Sequence, residues 1–104
     1  MESAPRKLFL KSLSSCELPC TIWIQGFIVK SSLTECTIAD GTAMCQIFKG
    51  SSLDAAIGSY VMVIGVLEED YVVRADQLVD ISRDADRIPG WWLEVFDANR
   101  FLGR

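Results

Sequence analysis

The longest nearly unbroken apolar stretch of the chain is Gly58-Ser59-Tyr60-Val61-Met62-Val63-Ile64-Gly65-Val66-Leu67, closed by the acidic turn Glu68-Glu69-Asp70. Its Val, Ile and Tyr side chains suit a pleated surface and its two glycines break helices, so it predicts a central strand with a bulge or tight bend at Gly65. The run is far too short to cross a bilayer as a helix. An earlier stretch, Thr21-Ile22-Trp23-Ile24-Gln25-Gly26-Phe27-Ile28-Val29, puts Ile22, Ile24 and Gly26 on one face and Trp23, Gln25 and Phe27 on the other. Large apolar groups on both faces predict a first strand that is either buried on both sides or has one face covered by another element.

Between these two, Leu33 to Asp40 alternates, Asp40-Gly41 is a hairpin signal, and Thr42 to Phe48 is the returning strand. Residues 53–57 are predicted to form a short helical turn, with Ser52 as N-cap and Gly58 beyond its end. A fifth strand starts at Tyr71 with a mixed inward and outward pattern, and a polar connector from Ser82 ends at Pro89-Gly90. From Trp91 the spacing turns helical. Trp91, Val95, Ala98 and Leu102 form one stripe, widened by Trp92 and Phe96, with Glu94, Asp97 and Arg100 on the remaining face.

Strand, strand, strand, helical turn, strand, strand and terminal helix is the element order of an OB-fold. The predicted fold class is therefore all-β with flanking helices: a five-stranded antiparallel Greek-key barrel with a C-terminal helix. Closure of the barrel solves the edge problem that a small open sheet would leave. A small SH3-like barrel competes, and the turn at 53–57 with the long first strand favours OB. The predicted division is an N-terminal arm or short helix over 1–20, the barrel over 21–88 and an interaction helix over 89–104.

Composition narrows the chemistry. One domain is expected of 104 residues, and 50% hydrophobic residues are enough for a core without disulfides. Fourteen acidic against ten basic residues give a formal charge of −4, which repels a phosphate backbone at long range, and the Lys and Arg residues form no cluster. No secretory pattern opens the chain, so Cys16, Cys20, Cys36 and Cys45 are expected as intracellular thiols. Only Cys16 and Cys20 have close spacing and His is absent, which argues for small buried hydrophobes over a zinc site. With no histidine base, no glycine-rich phosphate loop and no cysteine beside a base, the reading is of a non-enzyme with neither metal nor cofactor.

Many OB-folds bind nucleic acid through aromatic and basic residues on the second and third strands. Here Leu33 to Phe48 offers only Phe48 as an aromatic, no Lys or Arg, and the acids Glu35 and Asp40. The aromatics gather instead in the terminal helix, where Trp91, Trp92, Phe96 and Phe101 fall within three turns. So wide a stripe exceeds what one small barrel needs to cover, and Trp anchors many protein interfaces, which predicts a partner-binding helix.

Taken in order, Trp23-Ile24-Gln25-Gly26, Asp40-Gly41, Gly58 with Tyr60-Val61-Met62-Val63 and Gly65, Asp80 with Ser82, and Trp91 with Leu93-Glu94-Val95 resemble the RecQ-mediated genome instability protein 2 family. The resemblance spans most of residues 21–100. It implies a nuclear, non-catalytic OB subunit that pairs with the C-terminal OB domain of the larger RMI protein. It also implies a wider assembly with topoisomerase III and a Bloom-type RecQ helicase that dissolves double Holliday junctions, and a groove for a Fanconi anaemia M peptide. Strong direct nucleic-acid binding and membrane attachment are not implied. Carried onto this chain, Trp91, Val95 and Ala98 would be partner-facing helix positions, and Trp23, Gly26, Tyr60, Val61, Val63 and Gly65 fold positions. Trp92 and Phe96 depart from the family's more polar pattern. The competing reading is a small OB subunit of a replication protein A-like or telomere complex that touches single-stranded DNA itself.

Overall fold

Residues 5–50, 53, 55–83 and 87–100 are described by the computed structural model, the last segment with side chains over 89–97. From the N-terminus the chain forms a two-residue strand Arg6–Lys7 (β1), a 3-10 helix Leu10–Ser15, then Cys20–Ser31 (β2), Glu35–Ala39 (β3) and Met44–Phe48 (β4). Tyr60–Leu67 (β5), Val73–Asp80 (β6) and the helix Arg87–Arg100 (α1) follow. β2 is antiparallel to β5 from Cys20↔Leu67 to Phe27↔Tyr60, and its far end turns away to pair with β3. β3 pairs β4, β5 pairs β6, and the parallel contact Ile47↔Val73 and Phe48↔Arg74 joins β4 to β6. The five strands β2-β3-β4-β6-β5 therefore close on one another as an OB-fold barrel, with β1 added in parallel at Ile22 and Trp23.

The alternation read from the sequence becomes the inside and outside of this barrel. Ile22, Ile24, Ile28, Cys36, Ile38, Cys45, Ile47, Val61, Val63, Leu67 and Val73 fill the interior. Closure depends on two positions without a side chain. A Cβ on Gly26 would lie 2.7 Å from the Ala39 carbonyl oxygen, and one on Gly65 would lie 2.2 Å from that of Arg74. The β5–β6 register skips Asp76 as it passes from Ile64↔Gln77 to Gly65↔Ala75, which is the bulge expected at Gly65. The skipped residue also explains the mixed pattern of β6. Val73 and Ala75 point inward before it, and Leu78 packs on the core after it.

One end of the barrel is closed by an element the sequence reading left open. Leu8, Leu10, Leu13 and Cys16, on and beside the 3-10 helix, are buried in the barrel cluster. Asp40 at the β3–β4 hairpin fastens this plug: its Oδ2 accepts the Leu10 N–H at 2.9 Å. Its Oδ1 accepts from Thr42 N–H at 2.9 Å and Thr42 Oγ1 at 2.6 Å. Thr42 Oγ1 in turn accepts the Lys11 N–H at 3.1 Å. The helical turn expected over 53–57 is not what the described residues form. Leu53 is a bend and Ile57-Gly58 a turn, while Ser52 and Asp54 lie outside the described residues. Buried Lys49 holds this loop instead, its Nζ donating to the carbonyls of Leu33 at 2.8 Å and Leu53 at 3.1 Å.

The strand ends differ from the pattern by a few residues for local reasons. β2 starts at Cys20 and runs on to Ser31, past the turn read at Lys30. β6 begins at Val73 because Tyr71 takes a positive φ of 61° at the end of the acidic turn. There Tyr71 N–H donates to Glu68 O at 2.9 Å, and Val72 N–H to Asp70 Oδ1 at 3.1 Å.

Candidate partner interface

The chain leaves β6 through a small polar clasp. Ser82 Oγ donates to Asp80 Oδ1 at 2.5 Å and accepts the Tyr60 N–H at 2.8 Å, while Ile81 N–H donates to Tyr60 O at 2.9 Å. The Ser82 hydroxyl and N–H on its oxygen hold the Asp80 carboxyl below its ordinary pKa. Beyond the clasp, α1 returns to the outer side of the barrel beside β1. Trp91 stacks on Trp23 with ring centroids 6.1 Å apart, and Lys7 sits 4.7 Å above the Trp23 ring while bridging to Glu94 at 2.9 Å.

This docking divides the apolar stripe into two faces. Trp91, 1% exposed, and Val95 are buried with Phe9 and flanked by Trp23 in a cluster separate from the barrel interior. They were expected to face a partner, and here they face their own barrel. The reason is that the outer side of β2 presents Trp23, an apolar surface that the helix covers with Trp91. Trp92 and Phe96 lie one helical step around, packed against Phe9 at ring centroids of 4.4 Å and 5.9 Å. They remain open to solvent at 39% and 64%, and Leu93 beside them is 69% exposed. Ala98 has its backbone in α1, its side chain lies outside the described set, and Leu102 lies outside the described residues.

The structure thus brings together Trp92 and Phe96 on one ridge and separates them from Trp91 and Val95. It adds Leu93 and the edge of Phe9, which sequence reasoning did not assign to an interface. Leu93 falls off the stripe, and Phe9 becomes part of the ridge only through contacts more than eighty residues away in sequence, such as that with Trp92. The fold positions are placed in the barrel. Val61 and Val63 are inside it, and Tyr60 is buried, its ring edge-on to Phe27 at 4.8 Å. Burial, with a smaller push from Asp40, raises the Tyr60 hydroxyl to about 12.

The outer face of β3 and β4 carries Glu35, Thr37, Gln46 and Phe48, with Gln46 Nε2 donating to Glu35 Oε1. A groove beside it, about 260 Å³ in volume, is lined by Glu35, Phe48, Glu68, Asp70, Val72 and Arg74. Three carboxylates against one guanidinium give this face the wrong sign for a phosphate backbone. Cys36 and Cys45 point into the core, where burial first of all raises the Cys45 thiol to about 12. Among the described residues no three His, Cys, Asp or Glu side chains come together as metal ligands. No helix among the described residues is long and apolar enough to cross a membrane.

Comparison with known proteins supplies the context. The telomere capping protein Ten1 from Saccharomyces pombe superposes with a TM-score of 0.78 at 12% identity, over 93% of this chain and 99% of that one. A chain of Replication protein A of U. maydis bound to ssDNA gives 0.81 at 16% identity, over 97% of this chain and 94% of that one. These likenesses establish the OB-fold. No curated protein sequence matches the chain. The family model for RecQ-mediated genome instability protein 2 matches residues 10–99, a span that takes in the plug, the barrel and the docked helix. The chain belongs to the RecQ-mediated genome instability protein 2 family, small OB-fold subunits that serve genome stability.

Proposed function

We propose that this chain is the non-catalytic partner of the larger RMI subunit, pairing with the C-terminal OB domain of that protein through α1. In this reading it supports topoisomerase III and a Bloom-type RecQ helicase in dissolving double Holliday junctions in the nucleus. A Fanconi anaemia M peptide is a further ligand of the pair. The observation that carries the reading is the ridge of Trp92, Leu93 and Phe96, backed by Phe9 and left uncovered by the barrel. A contiguous aromatic ridge on a helix already held in place is the kind of surface that anchors a subunit contact. Support comes also from the similar folds, which include Ten1 in a Stn1-ten1 complex and a Replication protein A heterotrimer.

The test is affinity purification of the tagged chain from its own cells, wild type beside Phe96→Asp. Wild type should recover the larger RMI subunit, topoisomerase III and a RecQ helicase. Phe96→Asp should lose all three while keeping its circular dichroism, because a desolvated carboxylate at the contact has no partner. A folded Phe96→Asp protein that still recovers them ends the proposal. The single-stranded DNA reading has one observation in its favour, the exposed Phe48 on the OB ligand face. It predicts salt-sensitive DNA binding that Phe48→Ala weakens.

A further inference from the structure

The outer face of β3 and β4 is where an OB barrel ordinarily meets its ligand, and here that face keeps an exposed aromatic while reversing the usual charge. Phe48 is 44% exposed at the end of β4. Its backbone partners are Glu35 on β3 and Arg74 on β6, so register alone places an acid on one side and a base on the other. Val72 adds to the apolar floor, and the β5–β6 turn brings Glu68 and Asp70 to the rim. At about 260 Å³ this hollow is smaller than an ordinary small-molecule pocket of about 300–1,000 Å³ and suits a single long side chain.

The rim is not neutralised from within. Among the described residues, neither Arg74 nor any of Glu35, Glu68 and Asp70 takes part in an ion pair. Glu35 and Asp70 each accept one hydrogen bond, from Gln46 Nε2 and from the Val72 N–H, neutral donors that leave the charge in place. A second hollow, about 470 Å³ in volume and lined by Pro19, Glu68, Glu69 and Asp70, adjoins the first across Glu68 and Asp70 and has no basic residue. An aromatic floor under unpaired carboxylates fits the side chain of lysine or arginine, whose stem lies on apolar surface while the cation meets the ring and the acids. A nucleic-acid strand would offer the ring its bases but would bring its phosphates onto those acids.

We infer that this face is a docking groove for an extended basic segment of a protein partner. One lysine or arginine side chain lies over Phe48 and a second enters the hollow beside Glu69. No lining residue belongs to α1 or β1, so the groove and the α1 ridge are separate surfaces, and neither proposal rests on the other.

Fluorescence anisotropy of the full chain with a labelled peptide of alternating lysine and alanine tests this, beside a peptide of alternating glutamate and alanine and a thymidine oligonucleotide. The basic peptide should bind and the other two should not. Glu68→Lys should weaken it about tenfold, while Asp76→Lys, an equal change of net charge outside the groove, should change it less than about twofold. Phe48→Ala should weaken it about fivefold. Arg74→Gln removes the one opposing cation and should tighten it about threefold, a gain that a damaged fold does not give. Equal effects of Glu68→Lys and Asp76→Lys would reduce the binding to net charge and overturn the groove. So would a basic peptide that does not bind, or an oligonucleotide that binds and loses affinity in Phe48→Ala. Should Phe48→Ala fail to fold, Glu68→Lys and Arg74→Gln decide between them. Phe96→Asp should bind the peptide as wild type does, which separates failure of the groove from failure of the α1 reading.

Discussion

Replacing Gly65 by alanine puts one methyl group where β5 and β6 have no room for it. The added Cβ would sit 2.2 Å from the Arg74 carbonyl oxygen and 3.0 Å from Ala75 Cα, all backbone atoms with no rotamer to yield. A carbon–oxygen contact of this kind normally settles at about 3.3–3.6 Å, so the strands must part by more than about 1 Å. That motion falls on the pairs Gly65↔Ala75 and Val66↔Arg74, next to the bulge. Two weakened ladder bonds at about 0.5–1.5 kcal/mol each, with about 1–3 kcal/mol for overpacking, give a loss of about 4 kcal/mol. Against a total stability of about 5–15 kcal/mol this is severe, and for a chain of this size it lowers Tm by about 20 °C. Urea unfolding followed by far-ultraviolet circular dichroism reads it as a lower midpoint at unchanged slope. A loss below about 1 kcal/mol would mean that β5 and β6 do not approach as described.

Three further outcomes follow from the same geometry. Gly90 lies within α1 with nothing within 4 Å of an added Cβ, so Gly90→Ala should stabilise the helix by about 0.5–1 kcal/mol, seen as slower α1 amide exchange. Asp40→Ala should cost about 2–3 kcal/mol and deprotect the Leu10 amide, since it frees the plug and the hairpin tip together; unchanged exchange at Leu10 would refute the clasp. Asp80, whose folded pKa lies below its unfolded value, contributes stability above that unfolded value that is lost as pH falls through the folded one. Tm should therefore drop on acidification below about pH 4 more steeply in wild type than in Asp80→Asn.

The barrel was legible because its strands alternate cleanly. Ile22, Ile24, Cys36, Ile38, Val61 and Val63 all fall inside, as period two requires. The signal failed where one residue changes the parity. Asp76 is skipped by the register, so β6 reads as mixed until its partner strand is known. For the plug it left two forms open, a short helix or an arm over one end of the core: Leu10 and Leu13 repeat at a 3-10 interval for a single turn, too short to show a period, and the fastening Asp40 is thirty residues away. The helix was visible as an amphipathic stripe, but the stripe holds two faces. Trp23 and Phe9, both remote in sequence, decide that Trp91 and Val95 turn inward and that Trp92 and Phe96 stay out. What left no trace in the pattern is that Gln25, on a face expected to be covered, keeps its buried amide without a protein partner.

The contact of Lys7 with Glu94 joins positions 87 residues apart. Closing a free loop of that length costs about 4 kcal/mol of chain entropy beyond a constant, far more than a half-exposed ion pair returns. The seam between α1 and the barrel therefore forms only after the barrel has already brought β1 and the end of β6 near each other. During synthesis on the ribosome Phe9 and Trp23 are made early and wait, uncovered, until residues 87–100 have emerged. The interval is a period of exposed aromatic surface, and its length is set by how soon residues 87–100 follow the barrel out of the ribosome.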